Sequence, residues 1–337
     1  MDMKKIDSSK LKKGDIILST SVEIQSRIIK FFTKSDISHA MICIANSSVM
    51  DSTGEGVQAR NIDKMFYDDS CAIYAYRLKQ QISPEKMQGI IDYVRSENGA
   101  PYTLAGAVGA VVLPGVKGTG MQYCSRLVSK AYASEGIMFT CNPDACTPAQ
   151  IQKSNLVELI PDAVTDVTPD DIEMLSRQGD TTILFRDATS KLMNELRKID
   201  SSIRVVSDIH SSLQKNPELD DAITLALKST GYLNFWQLEA SRFPWRYDLT
   251  LMVQFYHSSS DERKGEILDY CRSTLAHEAD GDFNHWNKTM TIYQDLEIET
   301  HLQTFALFKN LYMKLSFGHG QRISHAKTML KVYGQRR

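Results

Sequence analysis

Cysteine is scarce in this chain of 337 residues. The six present are Cys43, Cys71, Cys124, Cys141, Cys146 and Cys271. Their spacing is irregular and forms no CxxC pair, which excludes a disulfide scaffold and a zinc ribbon and reads as reduced thiols. An excess of either charge is missing too: 39 basic side chains face 41 acidic ones, for a formal net charge of -2. The basic footprint of a general nucleic-acid binder is therefore absent, and no nucleic-acid partner is expected. Long apolar runs are lacking. The longest candidate, Leu104 to Val116, is broken by Gly106, Gly109, Pro114 and Gly115, well short of the ~18 apolar residues of a spanning helix. No apolar core follows the polar start, so no Sec-type leader is read and the expected location is cytoplasmic. Neither HExxH nor a glycine loop followed by Gly-Lys-Ser/Thr occurs, so no metalloprotease or phosphate-loop chemistry is implied, and no cofactor or metal is expected.

What is present is globular in proportion, with 42% hydrophobic and 24% charged residues in a length that suggests about two domains. The texture changes near Pro161. Before it, short β-like runs alternate with glycine turns; after it, glycine is scarce and amphipathic stretches dominate. The segment Pro161 to Pro169 has two prolines and no helical period, and reads as a linker. The expected domains are 1–162 and 163–337. In the first, Ile16 to Ser19, Ser38 to Ile44, Ser48 to Ser52 and Cys71 to Tyr76 read as strands, with a turn at Asn46-Ser47. Glu23 to Phe32, Pro84 to Arg95 and Met121 to Ala133 have helical spacing. The fold class is α+β: a small antiparallel sheet with helices, followed by a mostly α-helical domain. That second half shows helical spacing over 170–178, 187–215, 218–229, 232–241, 247–257, 261–276 and 293–317.

The chemistry-bearing stretch is Gln122-Tyr123-Cys124-Ser125-Arg126-Leu127-Val128. Cys124 sits in the first turn of a helix whose buried face is Leu127, Val128, Ala131 and Tyr132. The partial positive charge of a helix start favours thiolate over thiol. Read alone, it is more often a buried structural cysteine. His39, at the head of an apolar strand, supplies a base. Asp51 lies twelve residues later on the returning arm, within a rung or two of His39, where a carboxylate holds the ring tautomer and stabilises the imidazolium. Glu55 is the alternative acid if the register differs. Together these match the nucleophile, base and orienter of a cysteine hydrolase.

These residues resemble the circularly permuted papain-like cysteine hydrolases of the NlpC-type superfamily, specifically the YiiX/YaeF-like group, with the lecithin:retinol acyltransferases more distant. The likeness runs through Gly14-Asp15-Ile16-Ile17-Leu18, Ser38-His39, Asp51, Pro101-Tyr102 and Tyr123-Cys124-Ser125-Arg126-Leu127-Val128. It closes at Thr147-Pro148-Ala149-Gln150-Ile151 and covers about residues 11–162. Base before nucleophile is the permuted order. Asp51 stands where the group commonly has Glu, and Arg126 where relatives are often acidic, a change expected to affect a surface contact. The resemblance implies Cys124 as nucleophile, His39 as general base and Asp51 as orienter. Tyr102 is implied as an oxyanion donor beside the Cys124 N–H, with Tyr123 in support.

The implied substrate is an amide, as in a peptide, cleaved through an acyl-enzyme thioester. A lipid acyl hydrolase or acyltransferase would use the same residues. Leu104 to Pro114 either lines an acyl groove, makes a peripheral membrane contact or packs as a buried helix; the last is the plainer reading. The aromatic cluster Tyr232, Phe235, Trp236, Phe243, Trp245, Tyr247, Phe255 and Tyr256 reads as second-domain core before it reads as a lid. His277, Asp280, Asp282 and His285 read as a helix end and loop, not as metal ligands. A third reading makes the chain a non-catalytic adaptor that binds a protein partner through its helical half. The retained His39 and Cys124 argue against it.

Overall fold

The structure, a computed structural model, describes residues 3–20, 36–103 and 122–334. The helix expected over Glu23 to Phe32 and the apolar stretch Leu104 to Pro114 lie outside these residues. The chain divides into two compact units, Met1–Ser212 and Leu213–Arg337. Residues 163–212, expected with the helical domain, thus lie in the first unit.

The first unit contains nine strands among the described residues: β1 (Met3–Ile6), β2 (Ile16–Ser19), β3 (His39–Ala45), β4 (Ser48–Thr53), β5 (Gly56–Asn61), β6 (Tyr67–Asp68), β7 (Ile73–Leu78), β8 (Val157–Leu159) and β9 (Val164–Asp166). Six form an antiparallel sheet in the order β5-β4-β3-β2-β7-β8, and β6-β1-β9 form a smaller one. The central strands are apolar on both faces because both are covered. Ile16, Leu18, Ala40, Ile42 and Met50 pack with Ile90, Ile91 and Val94 of α1 (Pro84–Ser96) and with Leu127, Val128 and Ala131 of α2 (Cys124–Ala133). Ile17, Met41, Cys43 and Val49 pack on the other face with Ile6, Ile62, Ile160 and Ala163.

That second layer was not expected. The stretch read as a linker contributes β9, which pairs with β1 through Lys4↔Asp166, Lys5↔Thr165 and Ile6↔Val164. A three-residue strand with only Val164 partly buried is too short to show a period, so prolines dominated the sequence signal. α1 begins as expected, with Ser83 as N-cap and Pro84 in the first turn. α3 (Pro148–Gln152) opens with a capping box between Thr147 and Gln150.

Beyond the sheets, α4 (Pro169–Gln178) leads to α5 (Thr181–Ile199) and α6 (Asp208–Lys215). The helical stretch expected over 187–215 is thus broken after Ile199. Asp200 takes an extended conformation at the α5 end, and the turn that follows returns Ile203 and Val205 to the core. The second unit holds α7 (Asp220–Ser229), α8 (Phe235–Arg242), α9 (Leu249–Ser258), α10 (Asp261–Ala279), α11 (Asn284–Thr300) and α12 (Gln303–Tyr333). The stretch expected over 293–317 is two helices, parted where His301 adopts a left-handed conformation at φ 57°. Asp220 accepts the backbone N–H groups of Gln303 and Thr304 at 2.8 and 2.9 Å, capping the next helix. Of the aromatic cluster, Tyr232 is fully buried. Trp245 packs on Phe255 and Tyr270, and Tyr256 on Tyr333, around a core that includes Met252, Ile267 and Met329. No described helix is long and apolar enough to cross a membrane.

Candidate active site

The Asn46-Ser47 turn sets the register of the site. Ser47 takes φ 57°, closing a tight hairpin between β3 and β4. Ile42 then faces Met50, so Asp51, one rung further along, stands diagonal to His39 on the same face of the sheet. His39 Nε2 and Asp51 Oδ2 are 2.9 Å apart. Glu55 instead falls in the two-residue turn between β4 and β5, and its carboxylate meets Arg60 and Arg186, each at 3.3 Å.

Cys124 is the first residue of α2, behind an extended Tyr123 that forms no side-chain cap. The helix start is fixed by its neighbours. Tyr123 donates its hydroxyl to the Asp144 carbonyl at 2.7 Å, and Ser125 donates to the Cys146 carbonyl at 2.8 Å. Arg126 is not a surface residue. It is buried, and its Nε and Nη2 both reach Asp144 Oδ1, at 2.9 and 2.6 Å. A charge one residue past a polar motif gives no sequence clue to such pairing, since the partner lies eighteen positions on.

The thiol points to the head of β3. Its Sγ lies 3.9 Å from the Ser38 carbonyl, beside the His39 side chain, with which it interacts electrostatically. Nε2 being engaged by Asp51, Nδ1 is the imidazole nitrogen left for sulfur. Burial works against a charge on His39. The Cys124 charge and the bonds to Asp51 and Cys124 outweigh it and push the imidazole up to about 10. Burial likewise disfavours the Asp51 carboxylate. The hydrogen bond and charge of His39, with the Arg60 guanidinium, nevertheless hold it below the usual carboxylate range. The structure thus brings Cys124, His39 and Asp51 into one connected group.

Tyr102 pairs with Gln122 through an isolated parallel bridge, two residues ahead of Cys124. The Gln122 amide donates to Glu97 at 2.7 Å, and Glu97 is in turn held by Arg204 at 2.6 and 2.9 Å. Arg60 was missed by the reading of the sequence. Its Nε lies 2.8 and 2.9 Å from the two Asp51 oxygens. The alternation Gln58-Ala59-Arg60, which places two polar side chains on one face of a strand, was the available signal. In the second unit, His277 Nδ1 is hydrogen-bonded to Asp282 Oδ2 at 2.6 Å across the turn after α10.

Residues 10–160 match the family described as permuted papain-like amidase enzyme, YaeF/YiiX, C92 family. The match covers a little under half of the chain, and that segment is similar to the permuted papain-like domain of this family. The "Probable lipoprotein peptidase YaeF" of Escherichia coli (strain K12) is 28% identical over 107 residues, or 32% of this chain. The match spans only 38% of that relative's length. The crystal structure titled metalloprotein yiiX, from Escherichia coli O157:H7, is 21% identical, with a TM-score of 0.33. It aligns with 47% of this chain and 97% of its own. In this chain the papain-like domain is followed by a helical region.

Proposed function

We propose that the chain is a cysteine-dependent amidase in which Cys124 is the nucleophile, His39 the general base and acid, and Asp51 the orienter. The reading rests above all on one observation: Asp51 bonds His39 Nε2 at 2.9 Å, and the Cys124 thiol at the start of a helix points to the head of the strand that His39 opens, 3.9 Å from the Ser38 carbonyl. Proton transfer from Cys124 to His39 leaves a thiolate. The thiolate attacks the amide carbon, and the electron pair moves to oxygen. The Cys124 backbone N–H, which has no intrahelical acceptor at the first helical position, is the donor nearest that oxyanion. Tyr102 is the second donor in this reading. The intermediate collapses, the amine leaves with the proton from His39, and a thioester remains. His39 then takes a proton from water, whose hydroxide attacks the thioester. The acid departs and the thiol is restored.

A peptide amide is the proposed substrate class, in keeping with the peptidase name of the Escherichia coli relative. Iodoacetamide mapping at about pH 6 tests the nucleophile, because the thiolate and not the thiol is the species that is alkylated. Cys124 is expected to label far ahead of Cys271, which burial pushes up to about 12. Equal labelling of the two would refute the assignment. Mass spectrometry of the acyl group trapped on Cys124 then decides the substrate: a peptidyl adduct supports the amide reading, and a fatty-acyl adduct replaces it with a lipid one.

A further inference from the structure

The Asp51 carboxylate is almost wholly buried, at 2% side-chain exposure, and the papain-like site described above gives it one obligatory partner, His39. It has a second. Arg60, two positions past the residue paired with Asp51 in the β4–β5 ladder, places Nε between both carboxylate oxygens at 2.8 and 2.9 Å. Oδ2 is shared with His39, while Oδ1 has Arg60 Nε as its hydrogen-bond donor. The guanidinium is itself fixed at its far end, where Nη2 donates to Thr53 Oγ1 at 3.0 Å and to Glu55 Oε2 at 3.3 Å. We propose that Arg60 is a positioning residue of the catalytic site, holding Asp51 ionised and turned so that Oδ2 meets His39 Nε2; this rests on the reading of Cys124, His39 and Asp51 given above.

The physical reason is the cost of an under-partnered buried carboxylate. Bereft of one donor, such a group takes up a proton or rotates towards another partner. In either case His39 loses its counter-charge, the imidazolium is disfavoured, and the Cys124 thiolate goes with it. The opposite effect also exists. Arg60 is a cation near the imidazolium, and simple repulsion predicts that removing it would stabilise the charged ring. The other groups facing this set are Cys124 from α2, Tyr67 from β6, whose hydroxyl burial keeps protonated, and Arg186 from α5, which meets the Glu55 carboxylate at 3.3 Å. The ion pair of Arg186 is with Glu55, and Arg60 is the guanidinium that bonds Asp51. The two effects have opposite signs at the thiol, so the sign of the change identifies the role.

The test uses the full chain and the alkylation rate of Cys124 by iodoacetamide, followed across pH by peptide mass spectrometry, with a thermal melt for each variant. Arg60→Gln is expected to slow labelling at about pH 6 by roughly tenfold and to move the acid limb of the profile upwards. Arg60→Lys, which keeps the charge but not the shared geometry, is expected to recover part of the rate. In an Asp51→Asn background, Arg60→Gln is expected to change nothing further, because its effect passes through the carboxylate. A rate that is unchanged or raised in Arg60→Gln overturns the positioning role alone. So does an equal loss with and without the Asp51 carboxylate, which marks a merely structural staple. A wild-type Cys124 no faster than Cys271 overturns the site assignment itself, and the role of Arg60 with it.

Discussion

Two carboxylates compete for one histidine within five residues of each other, and geometry separates them. Asp51 is buried and bonded to His39, whereas Glu55 sits at the turn with a 47% exposed side chain and serves Arg60 and Arg186. Asp51→Asn is accordingly expected to cut kcat by more than about tenfold without unfolding the chain, since the tautomer is lost and the packing is not. Glu55→Gln is expected to leave kcat within about twofold, as exposed pairs contribute little. Steady-state rates on a peptide amide, with circular dichroism as the control, would rank the two; the reverse order would contradict the hairpin register. His39 sets a second expectation. Its affinity for a proton is raised to about 10, so the thiolate–imidazolium pair is present below that pH and is lost as the pH rises through it. The alkaline limb of kcat/KM is expected near pH 10, far above the ordinary histidine range. A limb near 6.5 would show that the pair does not form.

At the scale of elements, one hairpin carries both the orienter and its arginine. The β4–β5 ladder runs from Ser48↔Asn61 to Thr53↔Gly56. Its turn depends on Gly56, whose φ of +92° belongs to the left-handed side and whose added Cβ would lie 2.7 Å from the Ala100 carbonyl oxygen. Val57 donates to that same oxygen at 2.9 Å, and Gly99 donates to the Val57 carbonyl at 2.8 Å. The close approach ties the hairpin to the chain just before Tyr102. Gly56→Ala is expected to destabilise the protein by more than about 1 kcal/mol, since both the backbone angle and the contact oppose a side chain. A urea titration measures it, and an unchanged midpoint would show that the hairpin tolerates the shift. Helix α2 is held in another way, through Tyr123, Ser125 and Arg126 fastening its first turn to residues 144–146. Cys124 is thereby carried on an anchored helix start.

For the molecule as a whole, the segment after the family match is built into the first unit. Val205 belongs to the core shared by α1 and α2. Arg197 donates to the Gly99 carbonyl at 2.6 Å, and Gln58 reaches Ser190 and the Arg186 carbonyl at 3.0 and 3.3 Å. Arg204 holds Glu97, which holds Gln122. A chain ending at Asp162 is therefore expected to lose solubility or Cys124 reactivity, while one ending at Lys215, where α6 closes, keeps both. Retention of both properties by the shorter chain would make 163–215 dispensable. Glu97 also gives this junction a pH dependence. Burial opposes its charge, but the bonds from Arg204 and Gln122 and the Arg204 charge lower its proton affinity below the usual value. The stability it contributes is complete above the ordinary carboxylate pKa and is lost as the pH falls through the lowered folded value. Arg204→Gln is expected to flatten that acid-side slope in thermal melts between about pH 3 and 5.

Local chemistry made the catalytic half legible. A helix start at Cys124, a strand opening at His39 and a two-residue turn at Asn46-Ser47 are short-range features, and a hairpin with a set turn leaves Asp51 little freedom of register. The same locality explains the misreadings. β9 needs β1, more than 150 residues away, to be a strand at all. The break between α5 and α6 is stabilised by burying Ile203 and Val205, and no local propensity records that. Arg60 and Arg126 are ordinary exposed-type residues until a carboxylate from elsewhere makes their burial favourable. The sequence by itself determined the helix that Cys124 opens, the strand that His39 opens, their order along the chain and the hairpin that returns Asp51 to His39. Tertiary packing alone decided which arginine holds Asp51 and that the unit bearing these residues extends to Ser212. Those outcomes depend on long-range burial of charge and apolar surface, whose free energy exists only once the distant partners are in place.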